Sequence, residues 1–547
     1  MRWRHGCLPS LALLAVTGCS GGERVQAASG QQSSSVYHPR AQYCAPSPSG
    51  PVTGSPLCST IPGNIGPDPA LDQMIAYNGI IGARPTSAAH DSQTPFDNLS
   101  WQTFVAINWT KGKEDQPAQV GLQGNGPRVW EGWPRVSEIF GNGPVRATCG
   151  VPPGVAVFQI ASDGHGNPVA QNEEYIQAAT GDPAIDVSGN WTIYERRLNG
   201  IEVAYLKAPG GKTSWNLTTQ AGQQAFASGG GTVNFPSIGD QNATTGAIEI
   251  KAAWRVLDPA QRSANQRKYY VVPAMLTVAA DLVAPLPSRP PTPICATVDL
   301  GLVAMHIIQK NPLTKNSLKP EWFWSTFEHV DNAPIARQAC DPTSPATCTL
   351  LGQLDCPAEP AAVGYSYFKR ACPDCKTNQP PTPSPTGTPF AWNPTQPYAK
   401  GYLYTTKSGG QTVTVGTQVS RCWQAYSLTD ELNSQWRSQL MKVGSVFQNY
   451  MLVGTQWGAS ITNAPNPKIP GGAVPNFLSN SVIETYLQTL ANQDPFGNGS
   501  CVACHRSAVL PVTPNPQSDF SFLPGLVTPG LLRRAPIVTR ADRGKRK

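Results

Sequence analysis

The chain is poor in charge, in histidine and in methionine. Of 547 residues only 14% are Asp, Glu, Lys or Arg, and there are seven histidines and six methionines. So thin a supply of charge speaks against a helical bundle with long solvated faces. Beyond the first residues no apolar run approaches the roughly 20 needed for a membrane helix. There is no GxSxG elbow, no P-loop, no HExxH and no dinucleotide fingerprint ahead of a helix, so the commonest hydrolase, nucleotide and zinc-protease signatures are missing. What the chain does have is 51 glycines, 54 prolines, 14 tryptophans and 14 cysteines. That composition fits a β-rich, loop-rich protein of several domains, or one large domain with insertions.

The N-terminus reads as an export signal. Met1-Arg2-Trp3-Arg4-His5 is a short basic stretch, followed by an apolar run from Leu8 to Val16 and then small residues, a layout too short to span a bilayer. Val16-Thr17-Gly18-Cys19 resembles the lipobox of bacterial lipoproteins. The resemblance implies removal of residues 1–18, lipidation of Cys19 and, with Ser20 next to it, sorting to the outer membrane. The alternative is cleavage after Val25-Gln26-Ala27 and a freely secreted product, but Glu23 and Arg24 would then sit in a cleavage region that is normally uncharged.

The formal charge of +7 is an uneven average. Arg2 and Arg4 leave with the signal, and Arg533, Arg534, Arg540, Arg543, Lys545, Arg546 and Lys547 crowd the end against Asp542 alone, leaving the body near −1. The tail from 526 to 547 is therefore expected to be a solvated basic end. No nucleic-acid partner is expected in an exported protein. Of the cysteines, Cys7 belongs to the signal, Cys19 to the lipobox, and Cys501 and Cys504 to a motif described below. The ten others are Cys44, Cys58, Cys149, Cys295, Cys340, Cys348, Cys356, Cys372, Cys375 and Cys422, an even number that reads as up to five disulfides in an oxidising compartment. Cys372-Pro-Asp-Cys375 is also the spacing of a redox pair, but its Pro-rich surroundings favour a structural bridge.

Residues 19–95 are rich in Ser, Gly, Pro and Gln and read as a tether. Ordered structure is expected from Phe96, where Trp101 to Trp109 suits a buried strand or a short helix. Alternating strand patterns follow at Val155–Ile160, Trp191–Arg196, Gly246–Val256, Tyr269–Val272, Val298–Gln309, Trp322–Val330 and Gln411–Val419. Asp163-Gly164-His165-Gly166-Asn167-Pro168 is a turn signal. The expected fold class is mainly β (α+β): an antiparallel β-rich body over 96–460, interrupted by a Cys- and Pro-rich insertion at about 340–398. Helical periodicity is read at Thr429–Leu452 and Ser481–Ala491. A helical haem-binding segment is expected over 461–525.

The chemistry gathers at Cys501-Val502-Ala503-Cys504-His505. Two thiols three residues apart on a helical turn, with an imidazole next, can add to two vinyl groups of one porphyrin and ligate its iron. The five residues resemble the haem-attachment motif of cytochromes c. The resemblance implies one covalent haem c, with Cys501 and Cys504 as attachment points and His505 as the proximal iron ligand. The chain departs from small cytochromes c, which have the motif near the N-terminus and a distal Met downstream, because no His or Met follows His505. A distal ligand has to come from upstream: His329, His306, His165, Met451, Met441 or Met305. As a strand, Trp322 to His329 would put Phe323, Phe327 and His329 on one face, as a haem pocket needs, and as an ordinary core histidine also has. Met441 and Met451 also suit a packed helix face.

Segments Trp101–Trp109, Gly246–Trp254, Trp324–Pro334 and Leu452–Trp457 look like parts of a group of secreted bacterial proteins ending in CxxCH, a resemblance that brings no activity. Glu249, Lys251 and Glu328 are candidate acid or base groups, or members of ion pairs. The tryptophans are candidates for a ligand cleft or for core. Three functions follow: a periplasmic electron-transfer lipoprotein serving a redox partner protein, a haem-dependent oxidoreductase or peroxidase-like enzyme with substrate on the β-rich body, and a binding or assembly lipoprotein with a structural haem.

Overall fold

Of Trp101 to Trp109, equally suited to strand or helix by composition, residues 101–107 form the end of a helix, Gln93–Ile107. Its Ser100 and Thr103 hydroxyls donate back to the Phe96 and Leu99 carbonyls, the usual way such residues are satisfied inside a helix. The helix is buried on nearly every side, which explains why no amphipathic period marks it. The computed structural model describes residues 61, 65, 93–140, 150–160, 184–237, 246–257, 261–280, 293–312, 320–342, 347–350, 356–358, 364–369, 372, 375–379, 404–408, 411–415, 417–457, 478–488 and 500–527. All of them belong to one compact unit, Ser35–Lys547. The signal region, the lipobox with Cys19, most of the tether, His165, and nearly all of the basic tail lie outside the described residues.

The strands are β1 Ala156–Ile160, β2 Ile193–Leu198, β3 Ile248–Leu257, β4 Val271–Val278, β5 Ile294–Pro312, β6 Pro320–His329, β7 Ile335–Cys340, β8 Lys376–Thr377, β9 Tyr404–Ser408, β10 Gln411–Val415, β11 Thr417–Gln418, β12 Arg421–Trp423 and β13 Tyr450–Trp457. The main sheet has seven strands, in the order β1-β4-β5-β3-β2, with β6 paired to β5 and β13 to β6. β5 is 19 residues long, so one of its edges serves β4 with Ile294–Gly301 and then β6 with Ala304–Pro312. The protein is therefore mainly β, as expected. The sheet is mixed, not wholly antiparallel, because β1 pairs with β4 in parallel. A parallel pair needs a long crossover, and β2, β3 and three α-helices, Gly200–Lys207, Gln220–Ser228 and Arg262–Lys268, lie within it.

The two faces of the sheet differ in chemistry. Along β3, Ile248, Ile250, Ala252, Trp254 and Val256 point to the main core, where they meet helix Gln93–Ile107 and helix Ser427–Lys442. Each helix buries an indole against the other: Trp101 Nε1 donates to Asn433 and Trp436 Nε1 to Asn98. Trp101, Trp109, Trp130, Trp254 and Trp436 are fully buried, so these tryptophans are core. The alternate residues of β3 point to the second face. There the register aligns Leu198, Glu249, Ile308, Trp324 and Gln456 in one row, and Arg196, Lys251, His306 and Thr326 in the next. Segments 478–488 and 500–527 cover this face. Val502, Leu510 and Leu523 share a core with Leu198, Ile308, Trp322 and Trp324.

Helical periodicity over 429–452 proves to be two elements. The helix ends at Lys442 because Gly444 takes a left-handed φ of 71°. Ser445 N–H and Gly444 N–H then return to the Leu440 and Met441 carbonyls, a Schellman termination. Met451 consequently lies on β13. The expected helix at 481–491 is instead turns and a single 3-10 turn, Thr485–Leu487; residues 489–491 lie outside the described set. Disulfides join Cys340 to Cys348, Cys356 to Cys422 and Cys372 to Cys375, and Cys295 is also disulfide-bonded. Among the described residues no helix is long and apolar enough to cross a membrane.

Candidate functional site

Cys501–His505 forms one turn of helix. Two β13-side contacts fix it: Gln456 Oε1 accepts from the Val502 N–H and the Ser500 hydroxyl, each at 3.4 Å. Val502 turns inward and is 1% exposed. The two cysteines and the histidine flank it and are half-buried. No disulfide joins Cys501 to Cys504. Burial pushes the Cys501 thiol well above its usual range, and Glu484 and Cys504 add to that, so it rests protonated.

The imidazole of His505 is held from three sides. Its Nδ1 lies 2.7 Å from the Phe520 carbonyl oxygen. A carbonyl only accepts, so the proton sits on Nδ1 and the lone pair on Nε2. Trp324 and Phe522 rings lie 5.4 and 5.1 Å from it. Burial lowers its pKa to about 4, with the Phe520 carbonyl acting the other way and His306 and Lys251 lowering it further. The ring is therefore neutral at physiological pH, as a metal ligand must be. Asp519 to Leu523 packs here: the Phe520 ring lies tilted 5.9 Å from Trp324 and Leu523 is buried.

Among the candidate distal ligands, the second face gathers His306 and, across from Glu328, Met451. His306 sits there and is near enough to His505 for its charge to be felt. Both its ring nitrogens are engaged: Nε2 lies 2.8 Å from Glu484 Oε1 and Nδ1 lies 3.0 Å from the Thr326 hydroxyl. Burial acts to raise the Glu484 carboxyl, but His306, Lys251 and the Asn480 N–H outweigh it and hold it below the ordinary range.

His329 points to the opposite face. It does share that face with Phe323 and Phe327, but the wall they form packs against helix Gln93–Ile107 and its aromatic neighbours. Its Nε2 donates to the Lys268 carbonyl at 2.8 Å and its Nδ1 accepts the Asp331 N–H at 3.1 Å. Rings of Tyr269 and Tyr450 enclose it. That is a satisfied core histidine. Met305 also belongs to the main core. Met441 is 59% exposed on helix Ser427–Lys442, and Met451 pairs across from Glu328 on β6.

Glu328 and Glu249, weighed as acid or base groups, have separate fates. Glu328 pairs with Arg421 and accepts from the Ser481 N–H and hydroxyl, which pins segment 478–488 to the sheet. Glu249 is buried beside Glu202, from helix Gly200–Lys207, and Ser521. Next to them Lys310 is ion-paired with Asp519. Sequence reading missed Glu202 and Lys310. The alternation of β5 carried the signal for Lys310, a lysine at a core position of a strand. Nothing local marked Glu202. Among the described residues no three His, Cys, Asp or Glu side chains are grouped to hold a bare metal ion.

The donor set suits a haem: two unbridged thiols on one turn, a neutral imidazole with Nε2 available, and aromatic walls. No family model, no curated protein and no solved structure matches the chain.

Proposed function

We propose that the chain carries one covalently attached haem c and transfers electrons as an exported protein. The observation that carries this reading is the hydrogen bond from His505 Nδ1 to the Phe520 carbonyl, on the same turn as Cys501 and Cys504. Iron-ligating histidines characteristically donate their second ring N–H to a carbonyl, which fixes tautomer and orientation. Cys501 and Cys504 anchor the porphyrin edge, His505 binds iron, and Trp324, Phe520 and Phe522 keep water from the imidazole. The haem supplies a one-electron couple. The β-rich body offers the surface for a redox partner protein. Disulfides are compatible with export, and Cys19 is the proposed lipid anchor, with outer-membrane sorting from Ser20.

A second reading, a haem-dependent oxidoreductase with an open sixth position, is favoured by a specific observation. The ring nitrogens of both His306 and His329 are already engaged. For electron transfer with two protein ligands, His306 is the better candidate, and it would have to give up Glu484. The test is the absorption spectrum of periplasmically expressed protein, oxidised and dithionite-reduced, with and without carbon monoxide. A sharp reduced α band unmoved by carbon monoxide supports electron transfer, and a carbon-monoxide shift supports the open site. Absence of any haem spectrum would sink both.

A further inference from the structure

We propose that Glu202 and Glu249 form a proton-binding pair that positions His505 through the strap Asp519-Phe520-Ser521. The pair is placed by the Asn199 side chain, whose oxygen accepts from both the Glu202 and the Ile248 N–H, and by the burial of both carboxyls, while its consequence for a bound iron rests on the reading above.

Glu202 is wholly buried, and neither of its carboxylate oxygens meets a hydrogen-bond donor. The group it faces most closely in charge is Glu249, also buried, on β3. Asp519 stands over both. The cations on this site are Lys310, which Asp519 already takes, and Arg196 at the edge of Glu249. With the one buried ammonium taken by the half-buried Asp519, the two buried carboxyls of Glu202 and Glu249 cannot both be ionised in a dry setting without a counter-charge. Two carboxyls sharing a site resolve this by holding a proton between them. Burial first, and the charge of Glu249 second, push Glu202 well above the usual carboxylate range, which makes it the residue that keeps the proton.

The strap ties this pair to the imidazole. Asp519 and Phe520 have φ of 52° and 67°, two successive left-handed residues neither of which is glycine. Such backbone persists only where its surroundings hold it. Here Asp519 is held by the Phe235 N–H at 2.8 Å and by Lys310, the Ser518 hydroxyl donates to the Ser521 carbonyl, and Ser521 lies against Glu249. The Phe520 carbonyl at the centre of the strap is the acceptor for His505 Nδ1. Loss of the proton sets two like charges beneath Asp519 and Ser521. The strained turn then lifts, and His505 loses its acceptor.

Other groups facing the two ends are accounted for. Tyr205, on the same helix as Glu202, is raised by burial to about 12, with the Asn234 N–H acting the other way and Asp519 raising it, so it stays neutral. His505 itself faces His306, Lys251 and Glu484. An acid whose folded pKa is raised favours closure below its ordinary value and loses that contribution as pH rises through the folded value.

The test is amide hydrogen exchange of residues 517–527 in the full-length protein between about pH 5 and about pH 9, corrected for the intrinsic rate. In the wild type the open population of the strap should rise with pH from the ordinary carboxylate range up to the pair's raised titration, by up to about tenfold per pH unit for one proton released, and level off beyond it. In Glu202→Gln, whose amide mimics the protonated acid, the profile should be flat and protected. Glu249→Gln is the second variant and should flatten it likewise. A flat wild-type profile, or the wild-type slope retained in either variant, overturns the proposal. In the haem-loaded protein the midpoint potential should vary with pH over the same range, and Glu202→Gln should remove that variation. A wild type without haem ends the functional reading but leaves the exchange result decisive, and haem present with a flat exchange profile ends the proton pair alone.

Discussion

Two CxxC pairs in this chain share a spacing and have opposite fates. Cys372-Pro-Asp-Cys375 closes on itself as a disulfide with its Cα atoms 5.3 Å apart, in irregular chain just before β8. Cys501-Val-Ala-Cys504 stays unbridged on a helical turn. The Cys375 N–H bonds back to the Cys372 carbonyl at 3.1 Å, a tight turn that brings the two sulfurs together. A helical turn keeps residues three apart side by side, offered to a third body. Burial that keeps the Cys501 thiol protonated also slows its oxidation, since the thiolate is the species that attacks. The difference teaches that one spacing serves two ends by its context: irregular chain lets the thiols meet, whereas a helical turn with an adjacent imidazole, fixed by a carbonyl, leaves them unbridged, as the proposed haem attachment would require.

The largest expected effect breaks one pair and spares the other. Replacing both Cys501 and Cys504 by Ser should abolish covalent retention of haem after denaturation, whereas Cys375→Ser should leave haem content unchanged. Haem fluorescence of the denatured band reads both, and haem loss in the Cys375 variant would contradict the division of roles. Stability should answer in the reverse sense. Opening Cys356–Cys422, separated by 66 residues, should cost about 4 kcal/mol by chain entropy. Opening Cys372–Cys375, with a separation of 3, should cost about 2 kcal/mol on the same account. Urea unfolding of the two single-bridge variants measures the ratio, and equal losses would mean that local packing, not loop length, sets the cost.

Much of the fold was legible where one period ruled. β3, β5 and β6 were marked by alternation because each has one face on the aromatic core. At Cys501 to His505 the one helical turn was legible from the spacing, and the proposed haem attachment rests on that same spacing. Helix Gln93–Ile107 was ambiguous, since burial all round erases the amphipathic stripe. The stop at Gly444 was readable as a helix C-terminal glycine, yet the apolar run through Tyr450 to Leu452 concealed it. His329 was placed on the right face of the right strand, but a single strand cannot say which face the C-terminal segments will cover. Phe520 was beyond reach for a different reason: its carbonyl, not its side chain, holds His505, and main-chain acceptors leave no mark in a sequence.

The smallest effect sharpens the comparison between the two faces of the sheet. Burial brings His329 and His505 each to about 4, one among core tyrosines and the other on the Cys501–His505 turn. For His329 the Lys268 carbonyl and Asp331 act to raise it, without offsetting the burial. A histidine with a depressed folded pKa binds its proton more readily when unfolded, so stability is full above about pH 6.5 and falls as pH drops toward about 4. Each buried ring should contribute about 1.4 kcal/mol per pH unit in that window. The haem-free protein should therefore take up two protons on unfolding there, read from the pH dependence of the urea midpoint. His329→Asn should remove one of them at any haem content. Haem attachment should deepen the other, because iron and proton compete for Nε2 of His505. If loading with haem leaves the acid limb of the stability curve unchanged while His329→Asn still shortens it, His505 is not the ligand and the second face of the sheet serves another purpose.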